Sequence, residues 1–164
     1  MLYKKYYAYG MSICLRYSED KNEAAELLND GFLKVFDNIK TFDSSKAFKP
    51  WFRVILIRGC IDRYRKIKPT EKILVDIEDI KLTQAYDKTL EIKDLLKLIR
   101  TIPEQYRTVF NLHDIEGYKH KEIAQMLDIK ESSSRTFLMR AKRQLRFKYK
   151  QFYSSECITN LTEK

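Results

Sequence analysis

The sequence predicts an all-α protein built as two small helical domains joined by a flexible linker, and three observations carry that prediction. Gly and Pro fill only seven of 164 positions, too few for a turn-rich β sandwich. Apolar residues recur at helical spacing in both halves of the chain. The charge is also divided: residues 1–68 hold 14 basic and 8 acidic residues, 69–92 hold 3 and 6, and 93–164 hold 15 and 9. The sign change follows Pro69 and coincides with a loss of aromatic density, Tyr86 being the single aromatic between 65 and 105. A stretch of that length is long for a loop inside one compact domain. The expected division is a first domain over 1–68, a linker over 69–92, a second domain over 93–153 and a C-terminal tail over 154–164.

Composition narrows the function classes. At 44% hydrophobic residues the chain is too apolar for a disordered one. It has no run approaching the roughly 18 apolar residues of a membrane span, and no leading basic and apolar export signal. Cys14, Cys60 and Cys157 are odd in number and scattered, so they form neither a disulfide framework nor a zinc spacing. A reduced, cytoplasmic chain is expected. Its net charge of +9 points to a polyanionic partner, nucleic acid above all.

The first element, over Leu2–Tyr17, places Tyr3, Tyr6, Tyr7, Met11, Cys14 and Leu15 at amphipathic helical spacing. The polar break Ser18–Asn22 supplies cap candidates for the next helix. There Ala24, Ala25, Leu28, Phe32, Val35, Phe36 and Ile39 make an apolar stripe fit for a core. On the opposite side Glu26, Asp30, Leu33 and Asp37 share a face. A leucine ringed by acids is either an ordinary exposed apolar residue or a partner surface. A polar loop carrying Phe42 and Phe48 follows, and Pro50 suits the first turn of the third helix. That helix, Trp51–Lys66, begins apolar nearly all round and ends basic, with Trp51, Ile55, Arg58, Asp62 and Arg65 along one face. Two readings fit it equally: a core helix with a solvated basic end, or a platform that stacks unpaired bases and holds phosphates.

In the second half, Thr101-Ile102-Pro103-Glu104 reads as a helix start and Gly117 as its stop. A short helix over Lys119–Leu127, the turn Asp128-Ile129-Lys130 and a further helix with Ser132 near its cap make a helix-turn-helix. Ser132-Ser133-Ser134-Arg135-Thr136 then stands where side chains reach base edges in the major groove. From Arg135 to Lys150 there are seven basic residues and no acidic one. Such a run is costly without an anionic partner, which favours DNA binding over a merely solvated face.

Three stretches together resemble the extracytoplasmic function (ECF) group of sigma-70 family RNA polymerase sigma factors, over nearly the whole chain. They are Glu26 to Phe36; Phe48-Lys49-Pro50-Trp51 through Cys60 to Lys66; and Ile102 to Phe110 followed by Glu122-Ile123-Ala124 and Arg140-Ala141-Lys142. The resemblance implies a region 2 helical bundle, a linker and a region 4 helix-turn-helix. It implies docking on the β′ clamp helices of core RNA polymerase through Glu26, Leu27, Asn29, Asp30, Leu33 and Asp37, with a second contact to the β flap. It implies that opened −10 DNA meets Asn38, Lys40, Phe48, Lys49, Trp51, Arg58, Asp62 and Arg65, with a flipped base captured in the loop before the third helix. It further implies −35 duplex contacts by Ser132, Ser133, Arg135 and Thr136, with Arg140 and Arg143 positioning the backbone. An anti-sigma partner and a monomeric free state also follow from it. The sequence departs from the family pattern at Asn29 (usually Gln), Arg58 (often Asn), Asp128 (usually Gly), Ser134 (usually Val) and Phe137 (often Arg). Asp tolerates the left-handed turn conformation better than most residues.

Two other function classes compete with this one. An enzyme would need a site, and His113, Asp114, Glu116 and His120 are the single cluster that could suggest a metal. No phosphate-cradling Gly-rich loop, nucleophile elbow or CxxC is present, so no cofactor, no metal and no catalysis are expected. A helix-turn-helix regulator acting without core polymerase would account for 101–150. It would leave the acidic-apolar helix and the Trp51 segment unexplained.

Overall fold

The computed structural model describes the backbone of residues 2–67 and 92–159, with side chains over 2–67 and 96–151. The expected linker therefore lies outside the described residues up to position 91. All regular structure among the described residues is helical. The first half forms α1 (Leu2–Tyr17), α2 (Lys21–Asn38) and α3 (Phe48–Ile67), with a short 3-10 turn at Ile39–Thr41. The second half forms α4 (Ile92–Arg100), α5 (Glu104–Phe110) continued by a π-helical turn at Asn111–Ile115, α6 (His120–Leu127) and α7 (Glu131–Thr159).

Local chemistry sets these boundaries. Asp20 caps α2, its carboxylate accepting from the Glu23 amide at 2.8 Å. Glu122 reaches back to the Lys119 amide at 2.7 Å and so fixes the start of α6. The π turn closes on Gly117 at φ 84°, where its amide donates to the His113 carbonyl at 3.2 Å. Between α6 and α7, Asp128 adopts φ 55°, ψ 52°, the left-handed conformation expected of it at the turn. α7 begins at Glu131, so Ser132 lies inside the helix rather than at its cap. The helix also continues through Thr159, past the residue expected to open the tail.

α1, α2 and α3 pack pairwise into a three-helix bundle around Cys14, Leu28, Phe32, Val35, Phe52 and Leu56. The approach is close: a β-carbon at Gly10 would strike Leu28 and one at Gly31 would strike Leu56. The buried arc of α2 is rotated from the stripe read in the sequence. Leu27 is buried at 7% exposure, whereas Phe36 and Ile39 are 53% and 40% exposed.

In the second half, α7 packs on α4, α5 and α6. The two halves do not keep separate cores. Val109, Leu112, Ile123 and Leu127 belong to the same contiguous apolar cluster as Tyr17, Cys60 and Tyr64. α4 and α5 lie against α1, and α6 against α3.

Candidate functional site

Three surfaces gather the residues singled out in the sequence. On α2, Glu26, Asn29, Asp30, Leu33 and Asp37 are all exposed, Leu33 at 61%. Leu27, expected among them, underlies that face as part of the core. A groove of about 580 Å³ runs between α2 and α3, with Leu33, Asp30 and Asp37 on one wall and Asp62, Arg65 and Lys66 on the other. Its charges are tied together: Lys34 pairs with Asp62 at 3.4 Å and Arg63 reaches Glu26 at 3.8 Å. Asn29 accepts from the Tyr3 hydroxyl at 3.1 Å. The face is thus an acidic surface around one exposed leucine, held on a rigid bundle.

The second surface spans the loop after α2 and the start of α3. Phe42, Phe48 and Trp51 pack against one another, with ring centroids 4.8 Å apart for Phe42–Trp51 and 5.7 Å for Phe48–Trp51. Tyr6 of α1 stacks on Phe48 at 4.5 Å, and the Lys49 ammonium sits 5.5 Å from the Tyr9 ring. Trp51 and Phe48 stay half exposed, so aromatic edges border the polar loop. Inside it Asp43 accepts from the Ser45 amide and hydroxyl at 3.0 and 2.7 Å, and these bonds hold its carboxyl below its ordinary range. Asn38 and Lys40 are exposed at the loop entrance, and the Asn38 amide group donates to the Lys34 carbonyl at 2.8 Å. Arg58 and Asp62 are exposed further along α3. Arg65, also exposed, donates to the Gln125 carbonyl of α6 at 3.0 Å.

The third surface is α7. Ser132 and Arg135 are exposed and Ser133 and Thr136 half exposed. Arg135 pairs with Glu131 at 2.6 Å, and the Thr136 hydroxyl donates to the Ser132 carbonyl at 3.0 Å. Arg140 turns toward the Tyr106 hydroxyl at 3.2 Å. At helical spacing Arg143 continues the face of Ser132 and Thr136. Met139, 61% exposed, lies on that face too, and the sequence reading passed it over. Its seven-residue offset from Ser132 was the available signal.

Ser134 and Phe137 face inward. Ser134 is fully buried and bonds His120 of α6 at 3.0 Å, tying the two helices of the motif together. Phe137 packs on Tyr106 at 5.5 Å. His120 stacks on His113 at 4.5 Å. Burial, and then His113, hold its pKa below the ordinary histidine value. His113 bonds Asp114, whose other oxygen takes Lys142 at 3.0 Å. For Asp114 burial acts upward, but these two partners outweigh it and hold its carboxyl low. Glu116 points elsewhere, to Arg16 and Arg53. The four residues read as a metal suggestion are therefore split between two ion-pair networks, and among the described residues no group of three or more ligating side chains converges.

Comparison with known proteins accounts for this arrangement. Sigma-70 region 2 matches residues 2–70, and sigma-70 region 4 matches residues 92–145. The chain belongs to the ECF group of sigma-70 factors. It is 26% identical to the ECF RNA polymerase sigma factor SigM of Bacillus subtilis, over 94% of this chain and 97% of that protein. It is also 26% identical to SigW of the same organism, over 82% of this chain and 79% of the relative. Its fold is similar to that of the sigma factor RpoE of Bartonella quintana, solved in complex with the anti-sigma factor NepR. That likeness has a TM-score of 0.51 at 18% identity and covers 85% of this chain and 89% of the other. Sigma-70 factors are initiation factors rather than enzymes. No helix among the described residues is long and apolar enough to cross a membrane.

Proposed function

We propose that this ECF sigma factor is a non-catalytic specificity subunit that works on three separate surfaces. The exposed face Glu26, Asn29, Asp30, Leu33 and Asp37 docks on core RNA polymerase at the β′ clamp helices, with region 4 meeting the β flap. The loop and Trp51 surface holds opened −10 DNA. The outward face of α7 reads −35 duplex through Ser132, Ser133, Arg135 and Thr136, while Arg140 and Arg143 position the backbone.

The observation that carries this reading is Leu33. A large apolar side chain stands exposed among acids on a rigid helix, on the face away from the core. In a regulator that bound DNA alone it would be only an ordinary exposed apolar residue, whereas polymerase docking gives it a partner. The half-exposed aromatics beside a polar loop suit stacking on unpaired bases, and exposed lysines and arginines nearby suit phosphates. With Ser134 and Phe137 turned inward, the departures from the family pattern there act on helix packing, so base contacts fall to their exposed neighbours. Met139 on the same face suits a thymine methyl group. The domain division stays as read from sequence, and the chain acts in the cytoplasm, as a monomer when free, with an anti-sigma protein as a further partner.

Co-purification separates this reading from its rival. Purified chain mixed with core polymerase should co-elute on size exclusion, and promoter DNA should be retained tightly only by the joint complex. Tight operator binding by the chain alone, with no polymerase association, would establish the helix-turn-helix regulator instead.

A further inference from the structure

None of the residues assigned to polymerase or DNA lies on α1, the tyrosine-rich first helix. Its first half carries Tyr3, Tyr6, Tyr7 and Tyr9 with Lys4 and Lys5, and no residue before Glu19 is acidic. Helical periodicity divides the tyrosines between two sides. Tyr3 leans toward α2, resting on Phe32 at 4.6 Å with Tyr7 beside it at 5.5 Å. Tyr6 and Tyr9 lean toward α3, where both border the buried Phe52 ring, at 6.4 and 6.5 Å.

The α3 side of α1 continues the aromatic row of the loop. Ring centroids step from Trp51 to Phe48 at 5.7 Å and from Phe48 to Tyr6 at 4.5 Å. Tyr6 and Tyr9 are half exposed, so the row stays open to solvent as it crosses onto α1. A lysine stands at each tyrosine: Lys5 Nζ is 5.6 Å from the Tyr6 ring centre, and Lys49 Nζ is 5.5 Å from that of Tyr9. Both lysines are exposed. α1 brings no carboxylate to neutralise them, and Asp43 of the loop is taken up by Ser45 and Lys46. Near the outer limit of about 6 Å for a cation–π contact, an exposed ammonium is weakly held and free to turn to an anion. Rings in a row with loosely held cations beside them suit a single strand, which offers a face for each ring and a phosphate for each cation. An anionic membrane would use the same lysines, but these rings are half buried against one another rather than presented for insertion.

We propose that α1 extends the single-strand site beyond the loop. Tyr6 stacks on a base next to those held at Phe48 and Trp51, Tyr9 borders it, and Lys5 joins Lys49 in holding the phosphates. The ligand is unpaired DNA flanking the −10 segment, bound without sequence preference because every base presents a face. This inference rests on the reading of the Trp51 surface as the −10 site and adds a length to it. The strand kept open is longer than the element that is read, which holds the duplex against reclosing.

Anisotropy of labelled oligodeoxythymidines of about 6 and about 16 nucleotides tests the extension. They are titrated with the full chain, then with the chain on core polymerase, with core polymerase alone as baseline. Tyr6→Ala should weaken the longer oligonucleotide about 5- to 10-fold, the low end of one stacking contact for a half-exposed ring. The shorter one, accommodated by the loop and α3, should change much less. Tyr6→Phe keeps the ring and should bind as wild type. Lys5→Ala spares the packing and should make the salt dependence of the longer oligonucleotide less steep by about 0.7 in log–log slope, one phosphate contact. A merely structural role would not move that slope, so Lys5→Ala decides alone should Tyr6→Ala lose helix content. If both α1 variants bind the longer oligonucleotide as wild type while Arg58→Ala binds it weakly, the extension is overturned and the −10 reading stands. Equal losses on both lengths also overturn it, because Tyr6 then only supports the loop. So does weakened binding to phosphatidylglycerol vesicles with oligonucleotide affinity unchanged, which would make α1 a membrane surface. If Arg58→Ala also binds as wild type, or the wild-type chain binds neither length alone or on polymerase, both readings fail.

Discussion

Replacing Leu33 with Asp separates polymerase docking from folding more cleanly than any other single change. Leu33 is 61% exposed on α2, so the free chain gains little from it. Fully burying a leucine side chain is worth about 1.5–3 kcal/mol. With three-fifths of the residue still in water, about 1–2 kcal/mol remains for a partner to collect. At 1.4 kcal/mol per decade, that is roughly a 5- to 30-fold weakening of core polymerase binding. Placing a carboxylate among Asp30, Asp37 and Glu26 adds to the loss wherever the partner surface is apolar. Fluorescence anisotropy of labelled chain titrated with core polymerase reads the affinity, and thermal unfolding supplies the control. The melting temperature should move by no more than a surface substitution allows, about 0.5 kcal/mol in stability. Leu33→Asp that binds as wild type refutes this face as the docking surface. A Leu33→Asp chain that melts early would show that Leu33 supports the bundle.

Three further outcomes test the structure itself. Gly10→Ala forces a β-carbon against Leu28 and the Phe52 ring; overpacking of this kind costs about 1–3 kcal/mol, or a fall of roughly 2–12 °C in calorimetry. Asp128→Gly should be neutral or stabilising by up to about 1 kcal/mol, because the turn needs φ 55°. Asp128→Val should cost about 1–2 kcal/mol in urea unfolding. The third concerns pH. Burial and His113 lower the folded pKa of His120 below its ordinary 6.5, so in that interval the unfolded chain binds more protons. The stability from neutral His120 is therefore complete above 6.5 and is lost as pH falls through the folded value. Urea titrations across that range should show wild type losing more stability on acidification than His120→Gln; equal losses would remove His120 from the cause.

Much of this was legible in one sequence because it is local. The acidic face of α2 follows from 3.6-residue periodicity, and the left-handed Asp128 follows from its place in the helix-turn-helix turn, where the family usually has glycine. The periodicity was less exact about the core edge. It put Phe36 and Ile39 inside and left Leu27 off the stripe, because a stripe drawn on one helix does not show on which flank its neighbours sit. α3 closes over the Leu27 and Gly31 side, as the clash at Leu56 shows, and Phe36 is left half in solvent, stacked on Phe32. Ser134 looked like a lost base contact. It is instead a buried bond to His120, which only the helix crossing reveals. The contact between the two halves was invisible for the same reason: Arg16 and Glu116 stand 100 positions apart, and the sequence grouped Glu116 with its near neighbours His113, Asp114 and His120 instead.

Run-off transcription on genomic fragments tests the sigma-factor assignment most directly. Core polymerase alone should give only unspecific products. Core polymerase with this chain should give discrete transcripts, each starting a fixed distance downstream of a shared pair of sequence elements. Loss of those transcripts on Leu33→Asp would place polymerase docking upstream of promoter choice. A folded, polymerase-bound chain that produces no promoter-specific transcript on any fragment would contradict the assignment.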